Sequence, residues 1–494
     1  MSEKSSTGAA SNSASGKTTR KKPRASTQAW SRSLSATMAG ARAGSALALD
    51  SAVQQLFKKS PRTENQTDST FADKEAQRFV SKLGKLKGSY IKIGQMLALF
   101  GEHFLPPALT RALHKLDSST QALDWQEIEP LIKANLDERF DQLDIEQQAI
   151  AAASLSQVHR ASIKASGQTL CLKVQYPNLA EVIDADFDAV VKMLVLARWL
   201  KKGQELDDWL STMREQLHNE INYLREAELT QQAALLAQST NADNSKQSKQ
   251  YCQLYVPQLF SDYCSGQLLA LEYIDAYSVT AEQVKQLSLQ RRNVIAKTML
   301  DLFFREVFEW GLLQTDPNFG NYLIELDDRR KRVANDKLVL LDFGAAMILP
   351  ATTLHYLQQV IVAGQEQNIK SLISGLLGLG WLKANASEEA CQTFAMFCVE
   401  LLEPLRKPAQ LPAEYLNKRG EYCWAKSNLM QRAGKQGAAN ASSRHFTPPA
   451  RDFVLIARKL TGVFTFISVL NAEFNAYPIA QKTIEQWHKK NSHR

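Results

Sequence analysis

Three residues of this sequence carry oxygen at a spacing that suits chemistry: Asp316, Asn321 and Asp342. Asp316 and Asn321 stand five positions apart in Gln-Thr-Asp-Pro-Asn-Phe-Gly-Asn, and Asp342-Phe343-Gly344 follows the apolar run 338–341. Such a set suits in-line phosphoryl transfer. One Asp takes or orients the acceptor proton, while an Asn and a second Asp hold Mg²⁺. That chemistry needs the oxygens on two adjacent strand or loop ends, so that metal, γ-phosphate and acceptor line up. Asp-Phe-Gly alone recurs by chance. The strand-like Val339-Leu340-Leu341 before it and the D-x-x-x-x-N pair upstream make the set more specific. The competing reading is a solvated Asp/Asn turn closing a charged hairpin.

Positioning such groups takes a second wall, and residues 149–275 have the order of a kinase small lobe: strand, loop of small residues, strand, hairpin, and a third strand carrying Lys. The hairpin turns at Ser166-Gly167, and the third strand reads Thr169-Leu170-Cys171-Leu172-Lys173-Val174. Ala151, Ala152, Ala153 and Ser154 form the loop, where a protein kinase would use glycine. Alanine resists positive φ, so this loop should be stiffer. Read alone these four residues would start a helix; their place ahead of Lys173 makes them a candidate phosphate cradle. A buried Lys173 needs a carboxylate, and Glu226 is the candidate, on a helix expected over 208–236 that also carries Glu220. The alternative is a solvated acidic face. Residues 238–250 read as a polar loop. The strand Leu269-Ala270-Leu271-Glu272-Tyr273-Ile274-Asp275 falls where a hinge would offer the backbone groups of Glu272 and Ile274 to adenine.

The rest of the chain is mostly helical. Apolar spacing predicts one helix from Phe71 to Phe100, with Lys92-Ile93-Gly94-Gln95 inside it. A mid-helix Gly costs roughly 1 kcal/mol relative to Ala, so either something approaches the backbone there or the helix kinks. Residues 124–150 read as a helix and a short acidic connection. A helix is expected over 177–199, mostly helical chain over 280–312 and 350–403, and an amphipathic helix from Arg451 to about Leu470. No segment reaches 18 uninterrupted apolar residues; the best candidates are broken by Lys370, or by Arg458 and Lys459. A bilayer-spanning helix is therefore not expected. Six cysteines show no metal spacing, which suits buried thiols in a reducing compartment. Of the net charge of +8 nearly all lies in residues 1–49, where eight Lys and Arg face Glu3 alone. The basic balance thus belongs to a Ser-, Thr- and Gly-rich tail. It argues against a nucleic-acid partner and points to an anionic membrane surface, with the apolar stretch around Trp30 beside it; a mitochondrial transit peptide is the other reading.

Taken together, K-x-G-Q (Lys92 to Gln95), A-A-A-S-x-x-Q-V-H-x-A (Ala151 to Ala161), L-K-V-Q-Y-P (Leu172 to Pro177), R-E-A (Arg225 to Ala227), Q-T-D-P-N-x-x-N and L-D-F-G-A (Leu341 to Ala345) resemble the UbiB family of atypical protein-kinase-like ATPases tied to ubiquinone (coenzyme Q) biosynthesis. The resemblance covers roughly residues 70–470 and looks nearest to the mitochondrial-type branch and its bacterial relatives. It implies an α+β, bilobal kinase-like fold with ATP and Mg²⁺ as ligands. Residues 151–154 would cradle phosphate, Lys173 would contact the α- and β-phosphates and pair with Glu226, Asp316 would be the catalytic-loop Asp, and Asn321 and Asp342 the metal ligands. Lys92, Gln95 and Glu220 would belong to an added helical cover over the cleft. Asn222 stands where the family has Asp, so one charge is missing opposite Lys92. The expected organisation is a basic tail (1–27), a helical extension (28–148), a small lobe (149–275), a helical large lobe (276–480) and a tail (481–494). The resemblance implies ATP hydrolysis or action on lipid-linked quinone intermediates in concert with quinone-biosynthesis proteins. The alternative is a nucleotide-binding scaffold without turnover. A cytoplasmic protein peripheral on the inner membrane is the bacterial reading; the mitochondrial matrix is the other.

Overall fold

A computed structural model describes residues 68–86, 88–100, 105–116, 121–200, 204–247, 251–327, 335–434 and 451–491. The basic tail and the stretch around Trp30 lie outside the described residues.

The small lobe is an antiparallel sheet in the order β1-β2-β3-β5, with β1 Leu143–Ala152, β2 Ser156–Ile163, β3 Thr169–Gln175 and β5 Leu268–Glu272. Side chains alternate across a strand. In β3 that sends Leu170, Leu172 and Val174 into a core with Ile128, Ile132 and Leu136 of the helix Trp125–Leu136, and it sends Lys173 to the opposite face. The acidic connection expected before 150 ends at Gln142, and β1 starts at Leu143.

Two helices expected to be continuous are broken. The first is Asp68–Leu86 (α1) and Ser89–Phe100 (α2), parted at Gly88, whose φ of 58° is left-handed backbone that glycine adopts freely. K-x-G-Q lies within α2. There is no room beside Gly94: a Cβ would collide with the Leu116 side chain, so close approach, not a kink, accounts for this glycine. The second break falls at Ile221-Asn222, between Gln204–Glu220 (call it α3) and Tyr223–Gln247 (α4). Asn222 Oδ1 accepts the Arg225 amide at 3.1 Å and caps the new helix. The break resets the helical phase, which leaves Leu224 57% exposed although it had the spacing of a core residue. It also makes Glu220 the last residue of one helix and puts Glu226 in the first turn of the next. α4 runs through the expected loop 238–250 as far as Gln247, because its polar residues are paired from outside. Asn241 bonds both backbone groups of Leu254 (2.7 and 3.0 Å), and Thr240 accepts from Trp310 Nε1 at 3.2 Å.

The large lobe holds a second sheet, β4-β9-β8-β6, in which β9 (Lys337–Leu340) runs parallel to β4 (Gln253–Tyr255) and antiparallel to β8 (Tyr322–Glu325), with β6 (Tyr277–Ser278) at the edge. A two-stranded ladder joins β7 (Leu312–Gln314) to β10 (Ala346–Ile348). Around them pack the buried helix Leu289–Arg305 and the helix Arg451–Val469 (α5). The residues expected to be a tail from 481 are part of the helix Tyr477–Asn491, with Ala480, Thr483 and Ile484 buried. Among the described residues no helix is long and apolar enough to cross a membrane.

α5 lies directly on the loop after β7. A Cβ on Gly462 would collide with the Pro317 ring. Gly462→Ala is therefore expected to cost about 1–3 kcal/mol of unfolding free energy through overpacking. Gly266→Ala, with open space around it, should change stability by no more than about 0.5 kcal/mol. Equal shifts of the two urea midpoints would mean that α5 is not seated on Pro317.

Candidate active site

Lys173 is the meeting point of three elements. Its Nζ donates to Glu226 Oε1 and Oε2 at 2.7 and 3.0 Å and to Asp342 Oδ2 at 3.1 Å, and it lies over the Tyr223 ring. β3, the first turn of α4 and the segment after β9 thus converge through one ammonium. Burial alone would raise the Asp342 carboxyl, but the Lys173 charge and the Gly344 amide, which donates to Oδ1 at 2.8 Å, hold it below the usual carboxylate range. Glu226 is 2% exposed, and burial followed by the Asp342 charge pushes its carboxyl up to about 7. Burial works against the Lys173 ammonium, yet the Asp342 and Glu226 charges raise it well above its ordinary value. Gly344 keeps this space open, since a Cβ would press on Asp342 Oδ1 and Glu226 Oε2, each at 3.2 Å.

The segment 342–346 has every carbonyl engaged. Gln314 Nε2 donates to Asp342 O (3.1 Å), the Ala346 amide to Phe343 O (3.0 Å), and Thr315 Oγ1 to Ala345 O (2.6 Å). Arg225 donates to Gly344 O and Ala346 O at 3.0 and 2.9 Å. Buried backbone polar groups need partners, and here side chains from β7 and α4 supply most of them. Arg225 therefore holds the loop that its neighbour Glu226 contacts through Lys173.

On the opposite wall, Asn321 Nδ2 donates to Asp316 Oδ2 at 3.0 Å, and Arg458 of α5 donates to Asp316 Oδ1 at 2.8 Å. The Leu341 amide donates to Asn321 O at 3.0 Å, which sets Asn321 beside the strand end that carries Asp342. Under this floor Lys459, fully buried, bonds Glu306 Oε2 and Tyr322 Oη, both at 2.7 Å, and Tyr322 donates to Gln314 Oε1 at 2.5 Å. Burial, opposed by Lys459, pushes Glu306 up to about 7.

The K-x-G-Q segment of α2 reaches the same place. Lys92 pairs with Glu220 Oε1 at 2.7 Å. Burial opposes its charge, but Glu220 first, then Asp316 and Asp342, raise the ammonium, so Lys92 reaches the field of both aspartates. Gln95, half-buried, follows three residues on in α2. Asn222 serves as the helix cap described above, a role Asp would fill equally well. Of the small-residue loop, Ala151 and Ala152 are strand residues paired with Val158 and Gln157, and the turn itself is Ala153, Ser154 and Leu155, closed by Ala153 N to Ser156 O at 2.8 Å. At the hinge, Glu272 N donates to Gln258 O and Tyr273 N to Thr169 O, while the Glu272 carboxylate accepts from Tyr255 Oη at 2.6 Å. Arg225, Arg458 and Lys459 escaped sequence reasoning as site residues. The one signal for the last two was a pair of charges in the middle of an apolar helix.

Among the described residues no three His, Cys, Asp or Glu groups converge to hold a metal. Asn321 and Asp342 bring one amide and one carboxylate, the sparse oxygen set that Mg²⁺ completes with water and phosphate oxygens. The donors fit that ion.

Residues 115–375 match the family model described as the ABC1 atypical kinase-like domain. The chain is 26% identical over 447 residues to probable serine/threonine-protein kinase abkA of Dictyostelium discoideum, covering 87% of this chain and 76% of that protein. It is 26% identical over 408 residues to the mitochondrial atypical kinase coq-8 of Caenorhabditis elegans, covering 81% of this chain and 50% of the relative. Over 325 residues it is 27% identical to probable protein kinase UbiB of Photorhabdus laumondii, covering 63% and 55% respectively. Among solved structures, Rv3197 of Mycobacterium tuberculosis, in complex with erythromycin, superposes with a TM-score of 0.52 at 19% identity over 84% of this chain and 97% of that one; this likeness concerns the fold.

Because the Glu226 carboxyl is raised above 4.5, the stability it contributes is complete below that value and is lost as pH climbs through about 7. The unfolding free energy of nucleotide-free protein should fall by on the order of 1–3 kcal/mol between about pH 5 and about pH 7.5. Glu226→Gln should flatten that fall, while Glu306 contributes alike in both proteins. Identical pH slopes in urea titrations would give Glu226 an ordinary carboxylate affinity.

Proposed function

Because the chain belongs to the ABC1 atypical kinase-like family, we propose that it is an ATP- and Mg²⁺-binding enzyme that hydrolyses ATP or phosphorylates a small lipid-linked molecule in support of ubiquinone biosynthesis. The observation that carries this reading is the Lys173 ammonium held between Glu226 and Asp342. It is the arrangement a triphosphate site needs, with a cation fixed by a helix-borne carboxylate beside a metal-binding Asp.

Each residue then has a place. Lys173 meets the α- and β-phosphates, and Glu226 keeps it aimed. The turn at Ala153, Ser154 and Leu155, entered from Ala151 and Ala152, lies over the phosphates. Glu272 and Tyr273 have their amides engaged, so at the adenine edge Glu272 would offer its carbonyl and Ile274 its backbone groups. Asn321 and Asp342 hold Mg²⁺, which when bound offsets phosphate charge and bridges phosphate oxygens. Asp316 orients and deprotonates the acceptor. Lys92, Gln95 and Glu220 keep the cover closed over the cleft, which disfavours a bulky protein acceptor and leaves water or a small head group. The relatives named coq-8 and UbiB support a place in quinone biosynthesis. Hydrophobic intermediates of that kind reside in lipid, so the protein works peripherally at an anionic membrane surface.

Asp342→Asn is expected to abolish Mg²⁺-dependent nucleotide binding and ATP turnover; unchanged turnover in the purified variant removes Asp342 from the metal site. Lys92→Ala should loosen the cover and let radiolabelled ATP mark the protein itself, and equal labelling of variant and wild type counts against the cover. Quinone profiles of a strain lacking this chain should recover with wild type and not with Asp316→Asn. Recovery with both would favour a scaffold without turnover.

A further inference from the structure

The geometry assigns to Arg458 the task of meeting the terminal phosphoryl group and, in doing so, of releasing Asp316; this rests on the nucleotide-site reading above. The loop from Asp316 to Asn321 contains no Lys or Arg, so positive charge on this wall must come from another element. Lys173 is engaged with Glu226 and Asp342, and Lys92 with Glu220. Among the described residues Arg458 is the cation in contact with Asp316, and its side chain is 30% exposed.

Its placement is set from two sides. Lys459, the next residue, is locked beneath the floor by Glu306 and Tyr322, which fixes the rotation of α5. Gly462, one turn on and on the same helical face as Arg458, abuts Pro317 and fixes how close the helix lies. Arg458 is thereby held above the catalytic loop, where a flexible surface arginine would not be.

The contact it makes also engages the base. With Asn321 on Oδ2 and Arg458 on Oδ1, each oxygen of Asp316 already accepts one hydrogen bond, and an acceptor hydroxyl must share Oδ1 with the guanidinium unless Arg458 changes partner. A guanidinium carries five donors in a planar fork that suits phosphate, and the Asp316 bond requires one. A γ-phosphoryl group with its greater charge draws Arg458 away and frees Oδ1 to accept a proton. ADP lacks that group and leaves the Arg458–Asp316 pair in place. Arg458 is thus a specificity-determining residue for the triphosphate and couples its arrival to the availability of the base.

The test is equilibrium binding of Mg²⁺ with a non-hydrolysable ATP analogue or with ADP, to wild type, Arg458→Gln, Arg458→Lys and Asp316→Asn, each checked for folding by thermal unfolding. Loss of a charge-assisted contact should weaken analogue binding to Arg458→Gln about tenfold to a hundredfold while ADP changes less than about threefold. Arg458→Lys, the variant to rely on if Gln fails to fold, should fall between. Asp316→Asn, which frees Arg458 beforehand, should bind the analogue at least as tightly as wild type. Parallel loss of both ligands, or an unchanged preference for the analogue over ADP in both Arg458 variants, overturns the assignment while leaving the nucleotide site standing. A wild type that binds neither nucleotide overturns both.

Discussion

Two carboxylates share one ammonium, with Glu226 buried and Lys173 and Asp342 partly exposed, and the architecture answers to that imbalance. Lys173 can neutralise Glu226 or Asp342 but not both. Asp342 keeps its charge because the Gly344 amide helps, and Glu226 is driven toward protonation. Removing one partner of a buried pair typically costs about 3–5 kcal/mol because the remaining charge is left uncompensated. The strand, the helix and the loop that contribute these groups are therefore bound to a common geometry. Positive charge placed beside Asp342 would relieve the repulsion between the two carboxylates.

A second constraint acts on backbone. The loop 342–346 runs between β9 and β10, and side chains must satisfy most of its carbonyls. Arg225 takes two, Gln314 and Thr315 one each. Gln314 in turn belongs to the chain of bonds through Tyr322 to Lys459 and Glu306. Asp342 is thus tied on one side to α4 of the small lobe and on the other to α5 at the far end of the chain. Movement of either helix would reach Asp342 through two or three hydrogen bonds, without any long-range pathway having to be assumed.

The sequence revealed half of this arrangement, for identifiable reasons. Lys173 was legible because period-two alternation in β3 places it opposite Leu170, Leu172 and Val174, and Asp316, Asn321 and Asp342 because their spacing is local. The helix breaks were not. Gly88 looks like any mid-helix glycine until its left-handed φ is known, and Asn222 looks like one more polar residue until it is seen capping α4. The length of α4 was misread because Thr240 and Asn241 find partners in Trp310 and Leu254 that no local pattern predicts. Arg458 and Lys459 registered only as charges that interrupt an apolar stretch. Their partners lie 142 and 137 positions away, a separation across which one sequence carries no signal.

Arg458 and Lys92 also explain each other. They reach the same aspartate from opposite ends of the chain, Arg458 by direct contact and Lys92 through its field while bonded to Glu220. In an open surface cleft such charges would be worth little, because solvent screens them. Here both cations are partly buried, which limits that screening. A cation carried by α2 lies near enough to Asp316 and Asp342 to add a fixed charge to theirs, one that need not reorganise when further charge arrives. Its effect on Asp342 is secondary to that of Lys173.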